Sequence, residues 1–224
     1  MAKGGIEVNT KQLDRLAIEL KGFEKEVGEA AYHALNRTVD HVITQIGRII
    51  PKEYAVKSKD VKATLKGNKP SVNDLSASVI SKGHTLSFAH FPYTPKTDKR
   101  GRGSEVKVKI KNVTGKIKSQ KGFVANTGAK SEDKTLFNVF MRLGEFKIPE
   151  EGSYAGKVYK RGPKAGQRYV REIIAPIRTL SIPQMITNEK VAEKVLKEAQ
   201  DKLDERLEHE IVFRMTNLDK KIKR

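Results

Sequence analysis

Between positions 106 and 111 every second residue is a lysine, and apolar residues occupy the alternate positions. In a strand, Lys107, Lys109 and Lys111 would share one face, about 7 Å apart. Such a row of ammonium groups favours binding to a polyanion. It is also typical of the solvated face of a half-exposed strand, and the pattern alone leaves both interpretations open.

The positive charge of the chain is concentrated in two segments. Ten basic and two acidic residues fall between Lys96 and Lys121, and six basic and no acidic residues fall between Lys157 and Arg171. These segments supply +8 and +6 of the net charge of +18. The first segment contains an Arg-Gly loop with three of its cations: Lys99, Arg100 and Arg102. Charge segregated in this way favours a polyanion or an acidic protein surface as the partner.

Residues that could catalyse a reaction or bind a metal form no recognisable pattern. The five histidines lack metal-ligand spacing, and His209-Glu210 lacks the second histidine that a zinc-protease helix requires. The chain has no Cys, no Gly-x-Ser-x-Gly elbow and no phosphate-binding glycine loop. The paired carboxylates Glu150-Glu151 fall in a predicted loop. We therefore expect no enzyme, no metal site and no cofactor.

Composition narrows the class of protein further. Aromatic residues make up 6% of the chain and none is Trp, so base-stacking platforms are not expected and any DNA contact would depend on phosphate electrostatics. The absence of Cys excludes a disulfide-stabilised scaffold. No apolar run approaches the roughly 20 residues that a membrane span needs, and no signal segment follows Met1. These features predict a soluble intracellular product with no membrane partner.

A long amphipathic helix is predicted over residues 10–50, because apolar residues recur there close to a 3.6-residue period. Asn9 or Thr10 would cap this helix, and Pro51 would end it. About 40 residues at 1.5 Å each give roughly 60 Å of helix, which is more than a compact domain of this size can cover. We therefore expect part of its apolar stripe to pack against another subunit.

A C-terminal helix is predicted from Asn188 to at least Met215, where apolar residues step by four. It is acidic, with eight acids and five bases between Glu189 and Glu210, which would allow head-to-tail contacts between identical subunits. The two long helices supply the candidate subunit-interface residues: Asn36, Arg37, Ile46, Ile49, Leu203 and Leu207. For Asn36 and Arg37, a hydrogen bond within one subunit is the alternative.

Between these helices the hydrophobic period changes to two, which predicts strands. The segment 106–111 is the clearest strand, and others are predicted in four places: 75–88, Gly122–Ala125, Leu136–Leu143 and Arg168–Ile174. A short helix should begin at Ser58, with Val61 and Leu65 on one side. Two loops, 92–103 and 149–167, are expected to be mobile and solvated because they are rich in Gly and Lys.

The predicted fold class is α+β, with a long N-terminal helix packed on a mainly antiparallel sheet and followed by a C-terminal helix. We expect one domain over residues 1–224. Its three successive segments are the long helix at 10–50, the short helix and sheet with basic loops at 51–186, and the C-terminal helix and basic tail at 187–224.

Several short segments occur in an order and spacing that can be compared with known families. They are Ala34-Leu-Asn-Arg-Thr38, then Tyr54-Ala-Val and Lys59-Asp-Val61, then Lys121-Gly-Phe-Val-Ala125, Phe140-Met-Arg-Leu-Gly144 and Ile174-Ala-Pro-Ile-Arg-Thr-Leu-Ser-Ile-Pro183. Taken together, they resemble the phage and prophage minor tail protein Z family, a group of tail-completion proteins. The resemblance covers residues 10 to 215 and rests on the order of the segments.

This resemblance implies a structural virion protein of a tailed phage or prophage-derived particle, located in the neck at the head-proximal end of the tail. Such a protein would form a ring of six copies, be assembled in the host cytoplasm, and contact the tail tube or tail terminator protein and the head-tail connector proteins. Lys107, Lys109 and Lys111 would then line the channel of the passing double-stranded DNA and bind it without sequence specificity. The alternative is a nonspecific double-stranded DNA-binding protein that coats the duplex.

Overall fold

A computed structural model describes most of the chain. The described residues are 2–6, 24–71, 74–95, 106–119, 122–131, 134–152 and 154–222. They confirm the α+β class, with a long helix towards the N terminus, antiparallel sheets and a C-terminal helix. The chain divides into two compact units, where the sequence pattern predicts one domain. The first unit comprises Met1–Thr85, Lys111–Val113 and Leu180–Arg224, and the second comprises Leu86–Ile110 and Thr114–Thr179.

The first unit combines helices with a three-stranded antiparallel sheet of order β1-β3-β2. Its helices are α1 (Glu24–Glu53), α2 (Ser58–Ala63), α3 (Ile182–Ile186) and α4 (Glu189–Ile222), and its strands are β1 (Ala2–Ile6), β2 (Leu65–Asn68) and β3 (Ser78–Gly83). The predicted short helix at Ser58 is confirmed over Ser58–Ala63 with Val61 fully buried, but Leu65, predicted to lie on the same side of it, is the first residue of β2. Strand β1 was not predicted. Of the predicted long helix, residues 10–23 lie outside the described part of the chain, and α1 is described from Glu24 onwards.

Helices α1 and α4 pack against each other and run antiparallel. Arg214 lies 2.5 Å from Glu29 near one end of the pair, and Lys194 lies 2.6 Å from Glu53 near the other. The stripe of α4 that steps by four is buried as far as residue 207 and comprises Val191, Val195, Ala199, Leu203 and Leu207. Removing these side chains from water is the main force that holds the two helices together. Further along α4, Met215 is exposed.

Pro51 does not end α1, which continues to Glu53. Proline has no backbone N–H, so a helix with proline at this position leaves the carbonyl of Gly47 without its usual donor. The hydroxyl of Ser58 donates to that carbonyl at 2.6 Å. The side chain of Asn112 then donates to the carbonyls of Pro51 and Lys52 at 2.9 and 3.0 Å, which satisfies the C-terminal end of the helix.

The second unit contains two antiparallel three-stranded sheets, of order β5-β6-β7 and β10-β9-β8. Their strands are β5 (Tyr93–Thr94), β6 (Val106–Val108), β7 (Ile117–Ser119), β8 (Gly122–Ser131), β9 (Lys134–Lys147) and β10 (Arg171–Pro176). Strands β4 (Thr85–Ser87) and β11 (Arg178–Ser181) pair as a two-stranded sheet and contain the residues at which the chain passes from one unit to the other. The predicted strands at Gly122, Leu136 and Arg168 correspond to β8, β9 and β10.

Strand β9 carries a bulge where it pairs with β10. Glu172 lies opposite Phe146, whereas Ile174 lies opposite Arg142, so β9 has extra residues between these two pairs. Gly144 lies within the bulge and has a φ of +75°, a left-handed conformation that glycine adopts without a steric cost. The guanidinium of Arg142 also forms an ion pair with the Glu172 carboxylate across the two strands.

Part of the predicted open loop at 149–167 is instead an ordered hairpin. The N–H of Tyr159 donates to the carbonyl of Gln167 at 3.0 Å, and the N–H of Tyr169 donates to the carbonyl of Lys157 at 2.8 Å. Val158 and Arg168 form an antiparallel bridge between these hydrogen bonds. We call residues 157–171 the basic hairpin. Of the other predicted loop, residues 96–103 lie outside the described part of the chain.

Candidate nucleic-acid interface

The predicted row of three lysines on one strand is not formed. Strand β6 ends at Val108, so only Lys107 lies within it. Lys109 follows the strand, and its N–H donates to the carbonyl of Pro92 at 2.9 Å. Lys111 belongs to the first compact unit, where it forms an isolated antiparallel bridge with Tyr54. The alternation of lysine and apolar residues covers 106–111, but the strand itself covers only Val106–Val108.

Sheet pairing assembles a different set of lysines. Lys107 lies opposite Lys118 of β7 on one side and opposite Thr94 of β5 on the other. Residues directly opposite each other in an antiparallel pair have their side chains on the same face of the sheet. The Lys116 ammonium donates to the hydroxyl of Thr94 at 3.0 Å, which brings a third cation to this face. We call Lys107, Lys116 and Lys118 the lysine cluster.

The opposite face of this sheet is buried in the core. Val106 and Val108 flank Lys107 and are only 0% and 2% exposed. Tyr93 lies opposite Val108 and is also buried, and its hydroxyl donates to the carbonyl of Phe137 on β9 at 3.0 Å. Burial raises the pKa of the Tyr93 hydroxyl, so this donor keeps its proton at neutral pH. The lysine cluster therefore lies on a sheet whose other face is packed into the protein core.

The lysine cluster concentrates positive charge on one face of the sheet. Lys107 and Lys118 are like charges placed directly opposite each other. Ammonium groups supply charge without a fixed geometry of hydrogen bonds, so the arrangement can attract phosphate groups without base recognition.

The lysine cluster includes two residues that sequence reasoning missed. Lys116 and Lys118 fall within the basic segment, but the sequence predicts no strand there, because 116–119 contains a single apolar residue, Ile117. The available signal was the turn Asn112-Val-Thr-Gly115, in which Gly115 has a φ of +68°. A turn of this kind between two lysine-bearing segments is typical of a hairpin and could have predicted the pairing of β6 with β7.

The polar interface candidates lie on α1. Asn36 is half-buried, and its side-chain nitrogen donates to the carbonyl of Tyr32 at 2.9 Å, one turn earlier in the same helix. For Asn36, the structure therefore shows a hydrogen bond within one subunit, which was the alternative to a contact between subunits. Arg37 is exposed on the same helix. The loop cations Lys99, Arg100 and Arg102 lie outside the described residues.

The apolar interface candidates are buried within this chain. Ile46, Ile49, Leu203 and Leu207 are between 1% and 9% exposed. Leu203 and Leu207 pack with Ala34 and Leu35 of α1 in one cluster. Buried side chains cannot also contact a neighbouring subunit, so the expectation that these four residues form a subunit interface is wrong. All four side chains, two on α1 and two on α4, are covered by the chain itself.

Groups that could hold a metal ion are absent from the part of the chain that the structure describes, where no three His, Asp or Glu residues come together. None of the described helices is both long and apolar enough to cross a bilayer.

Comparison of the chain with models of protein families, with curated proteins and with solved structures found no match.

Proposed function

We propose that this chain is a structural virion protein of a tailed phage or prophage-derived particle, a tail-completion protein at the head-proximal end of the tail. It forms a ring of six copies that surrounds the DNA channel and helps join the tail to the head. Its partners are further copies of itself, the tail tube or tail terminator protein, the head-tail connector proteins and the passing DNA.

The observation that carries the DNA-channel role is the opposed pair Lys107 and Lys118 on a sheet with a buried rear face. A channel wall must attract phosphate groups without holding any sequence, because the genome has to move through it. Ammonium groups on a sheet with a buried rear face meet this need, since they provide charge and no fixed pattern of base contacts. Dissolved salt screens the attraction between exposed ammonium groups and phosphates, so the DNA is bound weakly and can be released.

Support for assembly with other virion proteins comes from the end of α4. Val212, Phe213 and Met215 are 66%, 55% and 43% exposed, although they are large apolar side chains. Exposed apolar residues close together on a surface mark protein contacts more often than isolated ones do. These three residues replace Leu203 and Leu207 as the α4 residues that we assign to contacts with other subunits or partner proteins.

Localisation within particles tests this proposal. A C-terminal epitope tag would be followed by immunogold labelling and negative-stain imaging of purified particles. We expect gold at the neck of tailed particles and a ring or an assembly-competent monomer in multi-angle light scattering of the purified protein. Absence of the protein from purified particles, or labelling only at the tail tip, would contradict the neck assignment.

A nonspecific duplex-coating protein is the second candidate, and the net charge of +18 favours it. The two functions differ in affinity and salt dependence. A tail-completion protein should bind free duplex weakly and release it by about 200 mM salt, whereas a coating protein should bind tightly with a steep salt slope. In the second case, Lys107→Ala, Lys116→Ala and Lys118→Ala together should reduce that slope by about 0.9 for each phosphate group that is no longer neutralised.

A further inference from the structure

The basic hairpin is a second concentration of charge, and it presents that charge on an ordered backbone. Its six cations are all exposed: Lys157, Lys160, Arg161, Lys164, Arg168 and Arg171. No acidic residue occurs between 157 and 171. None of the six lies within 4.0 Å of a carboxylate of any described residue. The hairpin therefore carries +6 without an internal counter-charge.

Tyrosine stacking orders the base of the hairpin. The rings of Tyr154 and Tyr169 are stacked, with centroids 4.8 Å apart and an interplanar angle of 19°. Tyr159 packs on the Tyr169 ring at 5.2 Å, and the Lys157 ammonium lies 5.1 Å from the centroid of the Tyr154 ring. Tyr154 lies just before the hairpin and is 47% exposed, whereas Tyr159 and Tyr169 are half-buried. The stacking of these rings stabilises the hairpin, and the cations are the exposed groups that it offers for binding.

The tip of the hairpin is also hydrogen-bonded. The N–H of Ala165 donates to the carbonyl of Gly162 and the N–H of Gln167 donates to that of Lys164, both at 3.0 Å. Gly162 and Gly166 have φ values of +84° and +81°, which allow the chain to reverse here. An ordered tip reduces the entropy that the cations nearby must lose when they bind a ligand.

We propose that the basic hairpin binds the phosphate backbone of double-stranded DNA. This inference rests on the proposed function in one respect, because a tail channel would bring the DNA to the hairpin. Arg161 and Arg168 offer planar guanidinium groups that can each hold a phosphate through two hydrogen bonds, and the lysines add point charge. The hairpin thus provides a second DNA contact, in addition to the lysine cluster.

The chemistry of the hairpin favours nucleic acid over a protein partner. Protein interfaces are built around apolar or aromatic side chains that become buried in the partner, and their centres are depleted in charge. Between Lys160 and Arg168 the hairpin exposes four cations and no large apolar side chain, and Val158 near its base, 48% exposed, is an isolated apolar residue among them. Phosphate is preferred to bases because the tyrosine rings stack on one another, which leaves electrostatic contacts to the duplex backbone.

Equilibrium binding of the full-length protein to a fluorescent duplex of mixed sequence tests the proposal, with salt varied between about 50 and 200 mM. The test variant combines Lys160→Ala, Arg161→Ala and Lys164→Ala. The matched control combines Lys59→Ala, Lys82→Ala and Lys197→Ala, which removes the same charge from exposed positions of the first unit. We expect the hairpin variant to bind at least tenfold more weakly at the lowest salt and its salt slope to fall by about 2 to 3. The control should change affinity less than threefold.

A second measurement locates the contact directly. Acetylation of lysines in the wild-type protein, read by mass spectrometry, should slow severalfold at Lys160 and Lys164 when duplex is added and stay unchanged at Lys59. Equal decreases in affinity for the two triple variants, no protection of the hairpin, or no duplex binding by the wild type would each overturn the proposal. These outcomes are separate from the imaging of particles, because a protein absent from particles could still bind duplex through the hairpin.

Discussion

The ammonium group of Lys194 donates a hydrogen bond to the carboxylate of Glu53 at 2.6 Å and so joins the first turns of α4 to the last turn of α1. The hydrogen bond and the positive charge of Lys194 hold the pKa of Glu53 below its usual value of 4.5. A carboxylate whose pKa is lowered by folding stabilises the folded state above its unfolded-state pKa. That contribution is lost as the pH falls through the lower, folded-state pKa.

Glu53→Gln should therefore lower the free energy of unfolding at pH 7 by about 0.2–1 kcal/mol, the range for partly exposed ion pairs. The difference from wild type should shrink as the pH falls below 4.5, and it should also shrink in high salt. Urea denaturation at a series of pH values measures both effects. Glu208→Gln, at an exposed position of α4, is the control and should show neither. A difference that persists unchanged at low pH would contradict the role of the ion pair.

Gly67 of β2 is predicted to be intolerant of any side chain. A Cβ atom at this position would lie 2.6 Å from Cγ1 of Val39 and 3.0 Å from Cδ1 of Ile43, both on α1. Gly67→Ala should therefore destabilise the protein by about 1–3 kcal/mol through overpacking. Chemical denaturation measures the decrease in the free energy of unfolding.

Gly28→Ala is the matched control for that substitution. Nothing lies within 4 Å of a Cβ atom built at Gly28, which is inside α1. Alanine is the better helix former, so this variant should gain about 0.5–1 kcal/mol. Equal effects of the two substitutions would mean that β2 does not approach α1 as closely as described.

The hydrogen bond from Ser58 to the Gly47 carbonyl should matter only because Pro51 lacks an N–H. Ser58→Ala should cost about 1 kcal/mol, since it leaves a partly buried carbonyl without a donor. In a Pro51→Ala background the restored N–H can serve Gly47, so the same change should cost less. A double-mutant cycle by urea denaturation should give a coupling of about 0.5–1 kcal/mol. Strict additivity would show that the proline does not create the need for Ser58.

Tyr169 is expected to hold the basic hairpin together, because its ring contacts both Tyr154 and Tyr159. Tyr169→Leu should open the hairpin and raise the rate of trypsin cleavage at Arg161 and Lys164 severalfold, without a comparable change in cleavage elsewhere. Tyr159→Phe keeps the ring and removes only a long hydrogen bond of 3.4 Å, so its cleavage rate should stay near wild type. Mass spectrometry of timed digests gives the rates, and unchanged cleavage in Tyr169→Leu would refute the stacking role.

Much of the helical structure follows from local sequence. The stripe of apolar residues at four-residue intervals determined where α4 runs and which of its residues, such as Leu203, are buried. Ser58 is likewise the first residue of a short helix, as predicted, although Lys57 before it makes no side-chain capping hydrogen bond and the Ser58 hydroxyl binds the Gly47 carbonyl. The alternation at 106–108 determined which side of β6 is apolar, since successive side chains of a strand point to opposite faces.

The charged surfaces were decided by tertiary structure. Whether Lys107 faces Lys118 or shares a row with Lys111 depends on strand pairing across a turn, and the lysine pattern is compatible with both. The stacking of Tyr154 on Tyr169 likewise depends on a chain reversal between them, and composition indicated no such aromatic group. The same holds for Leu203. The helical period predicted that this residue is buried, but it did not predict that Ala34 and Leu35 of α1 are its partners. A sequence pattern specifies which face of an element is apolar, whereas the surface that covers this face depends on contacts between residues far apart in the chain.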